Sequence, residues 1–521
     1  MPEAGPGVVL VGMPGSGKST VGRLVAERLG KPFVDTDTLF AEIHGASVPA
    51  YLRDRGEAAF RAAEAEAVAH ACATRGTVIG AGGGAVLDPL NRWALWHHGV
   101  VAWLDVPADE LARRLERDEI DRPTFRPYDP TRLASVVDER AFAYRAADLV
   151  LDGCRDPRLV AEELVARRGH PSGRRLVDVT VTRHHPIGPA ESRVVMGVDL
   201  PLGELAPRGV AVVDDRTPRR VLDRLPARAR LELRGGEAAK RMRRLERVLD
   251  WLAEQRVERD EPVLAVGGGT VGDLAGTAAA LFARGLPLVH LPTTWLAQAD
   301  SAIGGKVAVN LRHAKNAVGA FWPPVAVLSD VAALRSLPLS LRRDGMAESV
   351  KSALIGDAAL WRLIEDRGAA ALRDDEPARY AVLERSARLK LAVCERDPFE
   401  TGERRTLNLG HTIGHALEVE SDYRLRHGSA VALGLRGVAT IARARGADPE
   451  LPERLDAVLA GLGFRLRRSF DARTVREAML ADKKRRAGRQ RWIVPMEIGQ
   501  TVEIDDVTDR ELDHALRTIA A

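Results

Sequence analysis

The chain has 521 residues, 45% hydrophobic and 29% charged, which is too long for one ordinary domain and too apolar for a disordered segment, so two or three globular domains are expected. A formal charge of +4, from 77 basic and 73 acidic residues, is nearly balanced and excludes the strongly basic surface that nucleic-acid binding requires. Cys72, Cys154 and Cys394 are scattered and form no Cys-x-x-Cys pair, no basic leader precedes the first apolar run, and no stretch is long enough to span a bilayer; a cytoplasmic protein without disulfides or a membrane anchor is expected.

Taken in chain order, the apolar run Val8 to Val11 turns at once into Gly12-Met13-Pro14-Gly15-Ser16-Gly17-Lys18-Ser19, a G-x-x-x-x-G-K-[ST] motif, and a helix-like stretch follows from Lys18 to Leu29. Strand before and helix after make this a phosphate cradle. Backbone amides of Gly15 to Thr20 would close around phosphate oxygens at a helix N-terminus, Lys18 would neutralise the β- and γ-phosphates, and Ser19 would hold Mg²⁺. ATP or GTP is the expected ligand. Phe33-Val34 leads into Asp35-Thr36-Asp37, and Phe60-Arg61 opens a long Ala/Glu helix with Glu64 one turn on. Thr77 to Gly80 precedes Gly82-Gly83-Gly84, and Arg122-Pro123 lies in a polar segment. Taken singly, Asp-Thr-Asp is a helix cap and Gly-Gly-Gly a turn. Strands alternating with helices predict a parallel sheet covered on both faces.

A basic, Gly- and Pro-containing stretch, RRGHPSGRRLVD, spans Arg167 to Asp178 and reads as a linker over 169–178. Beyond it, Val210 to Val213, Arg230 to Leu233, Val263 to Val266 and Pro287 to Leu291 are strand candidates in a second, Rossmann-like α/β unit over 179–328. Residues 329–521 read as a mainly helical, metal-binding domain with one late strand at Arg491 to Pro495. Gly267-Gly268-Gly269-Thr270-Val271-Gly272-Asp273 follows a strand and satisfies G-x-G-x-x-G, so Gly269 and Gly272 are placed against a dinucleotide pyrophosphate. Upstream, Gly235-Gly236-Glu237-Ala238-Ala239-Lys240 offers a second glycine turn, and Asp214-Asp215 ends a strand where a ribose acceptor would be useful; Asp215 is the candidate.

Glu348, His411, His415 and His427 are candidate metal ligands, the first two histidines sharing one helical face with Arg404 and Asn408 on it or its approach. Spacing does not say which histidine is left out. Only nine of the basic residues are lysine, and apart from Lys31 every one falls on a motif named here or below, where a compact ammonium is not interchangeable with a guanidinium.

In this order and spacing, residues 5 to 168 resemble the shikimate kinases. The resemblance implies Asp35 beside Ser19 at Mg²⁺, Asp37 at the shikimate diol as acceptor of the 3-hydroxyl proton, and Arg61 and Arg140 on the substrate carboxylate. It also implies Gly83 in the acceptor pocket, Arg122 as the lid arginine over the γ-phosphate, and Arg155 near adenine. Ala141 to Tyr144 stand where that family has a proline, and the lid between Arg114 and Arg122 departs from its usual length and sequence.

Residues 176 to 515 resemble 3-dehydroquinate synthase through Gly-Gly-Glu-x-x-Lys, Gly-Gly-Gly-x-x-Gly-Asp, Pro292-Thr293-Thr294, Asp300-Ser301-x-Ile303-Gly304-Gly305-Lys306, Lys315-Asn316 and Met346-Ala347-Glu348. Arg404-x-x-x-Asn408-x-Gly410-His411-x-x-x-His415 and His427-Gly428 complete the match. The resemblance implies Zn²⁺, or Co²⁺, on Glu348, His411 and His427, with His415 as a substrate contact. NAD would lie against Glu237, Lys240, Asp273, Thr293, Thr294, Lys306 and Lys315. Arg284, Lys306, Asn316 and one of Lys483 or Lys484 would take the phosphate; Lys390, Arg404 and Asn408 would take the carboxylate end and hydroxyls; Asp300 and Lys351 would complete the shell. The implied reaction is the NAD-dependent cyclisation of 3-deoxy-D-arabino-heptulosonate 7-phosphate, with transient oxidation, phosphate loss, re-reduction and aldol closure.

A bifunctional kinase–synthase fusion, homodimeric through its synthase part, is therefore expected, with Lys18, Asp37, Arg122, Lys306, Lys351, Arg404 and His415 as its catalytic groups and only small molecules as substrates. The alternative is a different P-loop kinase fused to another sugar-phosphate cyclase of the aminocyclitol-forming type. A glycerol-dehydrogenase-like oxidoreductase would share the architecture but lack the phosphate-binding lysines.

Overall fold

The structure is a computed structural model that describes residues 6–118, 125–169, 173–182, 191–312, 314–481, 485–486 and 489–521. It divides into two compact units, Met1–Thr180 with Arg193–Pro201, and Val181–Ser192 with Leu202–Ala521.

In the first unit β1 (Gly7–Val11), β2 (Phe33–Asp35), β3 (Val78–Gly80), β4 (Gly99–Asp105) and β5 (Leu149–Asp152) form a five-stranded sheet in the order β2-β3-β1-β4-β5. Every pairing is parallel. The continuous apolar sequence of β1 fits this position, because a central parallel strand is buried on both faces, and all five of its residues are buried. Val8 and Leu10 pack with Val21 and Val25 of the helix Lys18–Leu29 and with Val160 and Leu164 of the helix Pro157–Arg167. Truncating Leu10 to alanine there is expected to cost about 2–5 kcal/mol. β1 and its neighbour β4 send the chain to opposite sides of the sheet, so the loop after β1 sits at the crevice where such sheets bind ligands. The helix Val48–Ala73 is interrupted at Gly56 (φ 78°), and its second segment carries Phe60, Arg61 and Glu64.

The stretch read as a linker carries a strand from Arg174 onward: β6 (Arg174–Thr182) lies beside β7 (Glu191–Val198). Arginines precede its apolar residues, of which Leu176, Val177 and Val181 are buried, and Arg193 on β7 donates to both oxygens of Asp178 on β6 at 2.9 and 2.6 Å.

In the second unit β8 (Gly209–Asp214), β9 (Ala227–Leu233), β10 (Val263–Gly267) and β11 (Leu288–Pro292) are followed by the antiparallel hairpin β12 (Lys306–Val309) and β13 (Val318–Phe321), and then by β14 (Ala326–Asp330). The order β14-β11-β10-β8-β9 is parallel throughout. β8 and β10 diverge, making the same kind of crevice a second time. Helices Leu339–Gly356, Ala358–Leu372, Glu376–Arg396, His411–Glu420 and His427–Ala444 follow, and the late strand is a hairpin of Trp492–Glu497 with Gln500–Ile504. Among the described residues no helix is long and apolar enough to cross a membrane.

Candidate active sites

The first site forms around the loop Gly12–Gly17. Gly17 precedes the helix at φ 94°, a left-handed conformation that favours glycine, and Gly15 is likewise at φ 82°. Lys18 folds back so that its ammonium donates to the carbonyls of Gly12 (3.0 Å) and Met13 (2.9 Å). Ser16 is buried, and Thr20 lies exposed one residue beyond Ser19. Ser19 donates its hydroxyl to Asp35 Oδ2 at 2.6 Å. Asp35 is also a helix cap, Oδ1 accepting from the amides of Asp37 and Thr38, so one side chain both caps the helix and accepts from Ser19.

The three glycines after β3 are the hub of a cluster of polar side chains. A side-chain carbon at Gly82 would come within 2.7 Å of Asp37 Oδ1 and 3.4 Å of Glu64 Oε1, and one at Gly84 within 2.6 Å of Arg61 Nη1. Arg140, buried, donates to Gly83 O at 2.9 Å, as does the Tyr144 hydroxyl at 2.9 Å. Arg61 pairs with Glu64 at 2.8 Å; burial outweighs that cation and pushes the Glu64 carboxyl up. Asp37, Arg61, Gly83 and Arg140 are thus brought together. Arg155 is exposed and pairs with Glu163 at 2.5 Å. Arg122 lies outside the described residues. Arg114, given no role by the sequence reading, reaches Gly153 O (3.0 Å) and Gly15 O (3.4 Å) and so ties the phosphate loop to the residue after β5. Its place at i+4 from Glu110, to which Nε donates at 2.8 Å, was the available signal.

The second site begins at the turn after β10. Gly267 adopts φ 155°, and a side chain there would meet Asp214 Cβ at 2.8 Å, so the loop closes on the end of β8. Asp214 is the buried acid and pairs with Arg216 at 3.0 Å; Asp215, the sequence candidate, follows the strand and is more exposed. Gly269 opens the helix Gly269–Leu281, with Gly272 in its first turn and Asp273 directly after it. Thr293 donates its amide to Gly267 O at 2.9 Å, and Thr294 lies against Gly268. Lys240, buried, bonds Asp273 and, at 2.5 Å, Asn316 Oδ1. Glu237 accepts from Asn310 at 2.7 Å and lies 4.0 Å from Lys315. Asn316 is therefore placed with the dinucleotide turn.

Next to it is a buried polar cluster. Ligating atoms of Glu348, His411 and His427 all lie within 4.8 Å of one another: His427 Nε2 is 2.9 Å and His411 Nε2 3.4 Å from Glu348 Oε1. His415 stacks edge-on to His411, ring centroids 5.1 Å apart. Lys351 bonds Glu348 and lies 3.9 Å from Asp300, which Lys390 reaches at 2.7 Å. Burial would raise the Glu348 carboxyl, but Lys351 and the two imidazoles outweigh it and hold it well below the usual carboxylate range. Burial likewise opposes charge on His427, yet Glu348 and Glu418 lift it to about 10. His427 Nε2 and His411 Nε2 both meet Glu348 Oε1, so the three side chains share one point. Two imidazoles and a carboxylate converging on that point are the donor set of a catalytic divalent-metal site with an open position, so the residues fit such an ion.

Lys306 bonds Glu400, whose other oxygen accepts from Asn408 at 2.6 Å. Arg404 is 2% exposed and donates to Gly304 O at 2.9 Å. It and Asn408 lie in a 3-10 segment before the helix, which starts at His411. Three carboxylates that the sequence reading did not select, Glu400, Asp397 and Glu418, are integral to the arrangement. Arg284 is on the exposed turn after the helix Gly269–Leu281, at φ 67°, and among the described residues no contact links it to the cluster. Lys483 and Lys484 lie outside the described residues.

A phosphate loop facing an arginine-lined pocket, and a dinucleotide-type turn facing a buried metal-type triad, define a nucleotide-dependent kinase joined to a metalloenzyme of the dinucleotide-binding kind. Comparison with known proteins gives the families. The shikimate kinase family matches residues 14–167, and the N- and C-terminal domains of 3-dehydroquinate synthase match 230–343 and 345–485. The 2-epi-valiolone synthase of Actinosynnema mirum is 38% identical over 360 residues, covering 65% of this chain and 94% of that protein. A 3-dehydroquinate synthase of Cereibacter sphaeroides is 42% identical over 294 residues, 54% of this chain and 78% of its own length. Among solved structures, the 2-epi-5-epi-valiolone synthase of Streptomyces hygroscopicus subsp. jinggangensis, with NAD⁺ and Zn²⁺ bound, superposes with a TM-score of 0.60 at 29% identity, covering 65% of this chain and 99% of that one. The chain belongs to the 3-dehydroquinate synthase family and carries a shikimate kinase domain ahead of it. It is an enzyme of two parts, a kinase and a cyclase.

Proposed function

We propose that the first unit phosphorylates the 3-hydroxyl of shikimate from ATP, and that the second cyclises 3-deoxy-D-arabino-heptulosonate 7-phosphate to 3-dehydroquinate with loss of phosphate. The observation that carries the second half is the convergence of Glu348, His411 and His427 with Lys351, Lys390 and Asp300 beside the glycine turn. In the first unit, Lys18 leaves its two carbonyl partners for the β- and γ-phosphates, and the loop amides align them. Ser19 and Asp35 would hold Mg²⁺. Asp37 takes the proton of the 3-hydroxyl, while Arg61 and Arg140 fork onto the carboxylate, and Arg122 covers the γ-phosphate; positioning and charge do most of such a transfer.

In the second unit, Glu348, His411 and His427 would hold Zn²⁺ or Co²⁺, and the turn at Gly269 and Gly272, with Asp215, Glu237, Lys240, Asp273, Thr293, Thr294 and Lys315, would hold NAD. When bound, the ion supplies Lewis acidity to a substrate oxygen and NAD supplies a hydride acceptor. Lys306, Arg284, Asn316 and Lys483 bind the phosphate. Lys390, Arg404 and Asn408 orient the carboxylate end, and Asp300, Lys351 and His415 hold the hydroxyls and their protons. The accompanying domain limits are 1–168, 179–328 and 329–521, in a cytoplasmic homodimer joined through the synthase part.

A second reading has specific support: the relative covered over 94% of its length is a 2-epi-valiolone synthase. A cyclase of that type would accept a heptulose 7-phosphate without the carboxylate. The purified chain, supplied with NAD⁺ and Zn²⁺, is to be assayed for phosphate release from each sugar, and for ATP consumption with shikimate. Turnover of the heptulosonate alone supports the synthase; turnover of the carboxylate-free sugar alone establishes the second reading.

A further inference from the structure

We propose that Glu418 is the positioning residue that holds His427 in its metal-binding tautomer. The inference rests on the metal site proposed above and adds to it a residue that no motif singles out.

Glu418 lies in the last turn of the helix His411–Glu420 and is 4% exposed. The two ring nitrogens of His427 face two different carboxylates: Nε2 is 2.9 Å from Glu348 Oε1, and Nδ1 is 3.2 Å from Glu418 Oε1. A proton kept on Nδ1 by Glu418 leaves Nε2 as the nitrogen that presents its lone pair to the point shared with Glu348 and His411. His411 is held in the same sense by a weaker acceptor, its Nδ1 lying 3.1 Å from Leu409 O. Both histidines therefore aim Nε2 inward, and of the two only His427 is backed by a full negative charge. A carboxylate behind a ligand imidazole fixes the ring and raises its basicity.

The other side of Glu418 is closed by Lys315, whose ammonium lies 3.3 and 3.4 Å from its two oxygens and 5.7 Å from the Tyr423 ring. This cation offsets the cost of burying the carboxylate and keeps Glu418 from turning inward as a fourth ligand. The intervening turn brings His427 back over Glu418. Asp422 and Tyr423 are both left-handed (φ 51° and 58°), Glu418 O accepts from the Tyr423 amide and the Ser421 hydroxyl, each at 2.8 Å, and Ser421 Oγ accepts from the Leu425 amide at 3.0 Å. Strained non-glycine conformations persist where surrounding structure over-determines them, and here they set the register between a carboxylate and an imidazole nine positions apart.

A competing geometry exists. Ligating atoms of His415, Glu418 and His427 also lie within 4.8 Å of one another, so Glu418 would be a ligand instead if a second ion bound through His427 Nδ1. Counting bound ions separates the two roles.

The test uses the full chain stripped of metal and titrated with Co²⁺, followed by equilibrium dialysis and by the visible spectrum of the bound ion. The wild type is expected to take up one equivalent. The isosteric variant E418Q is expected to bind it about 10- to 100-fold more weakly with a shifted spectrum, and E418D, which keeps the charge, to recover part of the loss. The metal-free melting temperatures of wild type and E418Q are expected to agree within a few degrees. Wild-type affinity and spectrum in E418Q would overturn the proposal, as would equal losses in E418Q and E418D accompanied by lower metal-free stability. Two equivalents in the wild type with one lost in E418Q would make Glu418 a ligand, also against it. If H411A binds Co²⁺ as tightly as the wild type, the metal site itself is wrong, which is a separate failure.

Discussion

The phosphate loop of the first unit and the lysines of the second handle positive charge in different ways. In the kinase unit Lys18 donates to the carbonyls of Gly12 and Met13 and Arg140 to the carbonyl of Gly83, while Arg61 pairs with Glu64. In the synthase unit the lysines are paired with carboxylates: Lys351 with Glu348, Lys390 with Asp300, Lys306 with Glu400, Lys315 with Glu418, Lys240 with Asp273. The difference follows from who brings the negative charge. A nucleoside triphosphate arrives with its own, so its cradle needs partners it can leave cheaply. A site that must keep acidic groups for a metal and for proton movement has to neutralise them before any substrate binds, because an unpaired buried charge costs several kcal/mol.

The largest expected effects test whether the two sites work separately. H411A, assayed for phosphate release from the heptulosonate, is expected to lose about 10³-fold or more, the several kcal/mol that metal polarisation supplies, while ATP-dependent phosphorylation of shikimate in the same preparation stays within about 2-fold. K18M is expected to show the reverse, losing about 10²–10³-fold in phosphorylation, as for removal of one transition-state charge partner. A tenfold loss in both assays from either variant would show that the sites are coupled.

The sequence carried the parts of this contrast that sit in short motifs. Gly12–Ser19 and Gly267–Asp273 were legible because phosphate cradles need glycine, an adjoining strand and an adjoining helix within a few residues. His411, His427 and Glu348 were legible as a group only through family resemblance, since helical spacing left His415 equally eligible. Glu418 was not legible at all. Its partners are 103 and 9 positions away, and at its own position it reads as an ordinary helix-end acid. Asp397 and Glu400 escaped for the same reason: their roles arise from a loop conformation that no local pattern encodes. Arg174–Thr182 reads as a loop by composition because two arginines precede its apolar residues, of which Leu176, Val177 and Val181 are buried. Charged residues at the start of a strand do not prevent it, and composition reads them as loop.

A middle-sized effect should come from Asp397, which sharpens the view of the synthase site as prepaired. Its carboxylate accepts from the amides of Thr401, Gly402 and Arg404 at 2.9, 2.7 and 2.9 Å, holding the loop that presents Glu400 at φ 62° and the Arg404 side chain. Burial pushes this carboxyl up, but those amides and the Thr401 hydroxyl outweigh it and bring it down to about 2. A folded-state value below the unfolded one means stability that is present above about pH 4 and is lost as pH falls from about 4 towards 2. D397N is expected to raise KM for the sugar acid about 10-fold, the cost of a charge-assisted hydrogen bond or two, and to flatten the acid limb of the unfolding curve in that window. An unchanged acid limb would mean that the loop is held by something else.

The smallest effect is expected at Arg155, which the shikimate kinase resemblance puts near adenine. Its guanidinium is exposed and shares Glu163 with Arg167, each at 2.5 Å. Surface ion pairs of this kind are worth about 0–1 kcal/mol, and a cation against an exposed aromatic base about 0.5–1 kcal/mol. R155A should therefore leave the melting temperature nearly unchanged and raise KM for ATP by about 2- to 5-fold at constant kcat, since a contact with the base is the same before and during phosphoryl transfer. Cyclisation should be untouched. A drop in kcat would place Arg155 on the phosphates rather than the base, and would mean that this unit, like the other, keeps a reacting cation tied to a carboxylate.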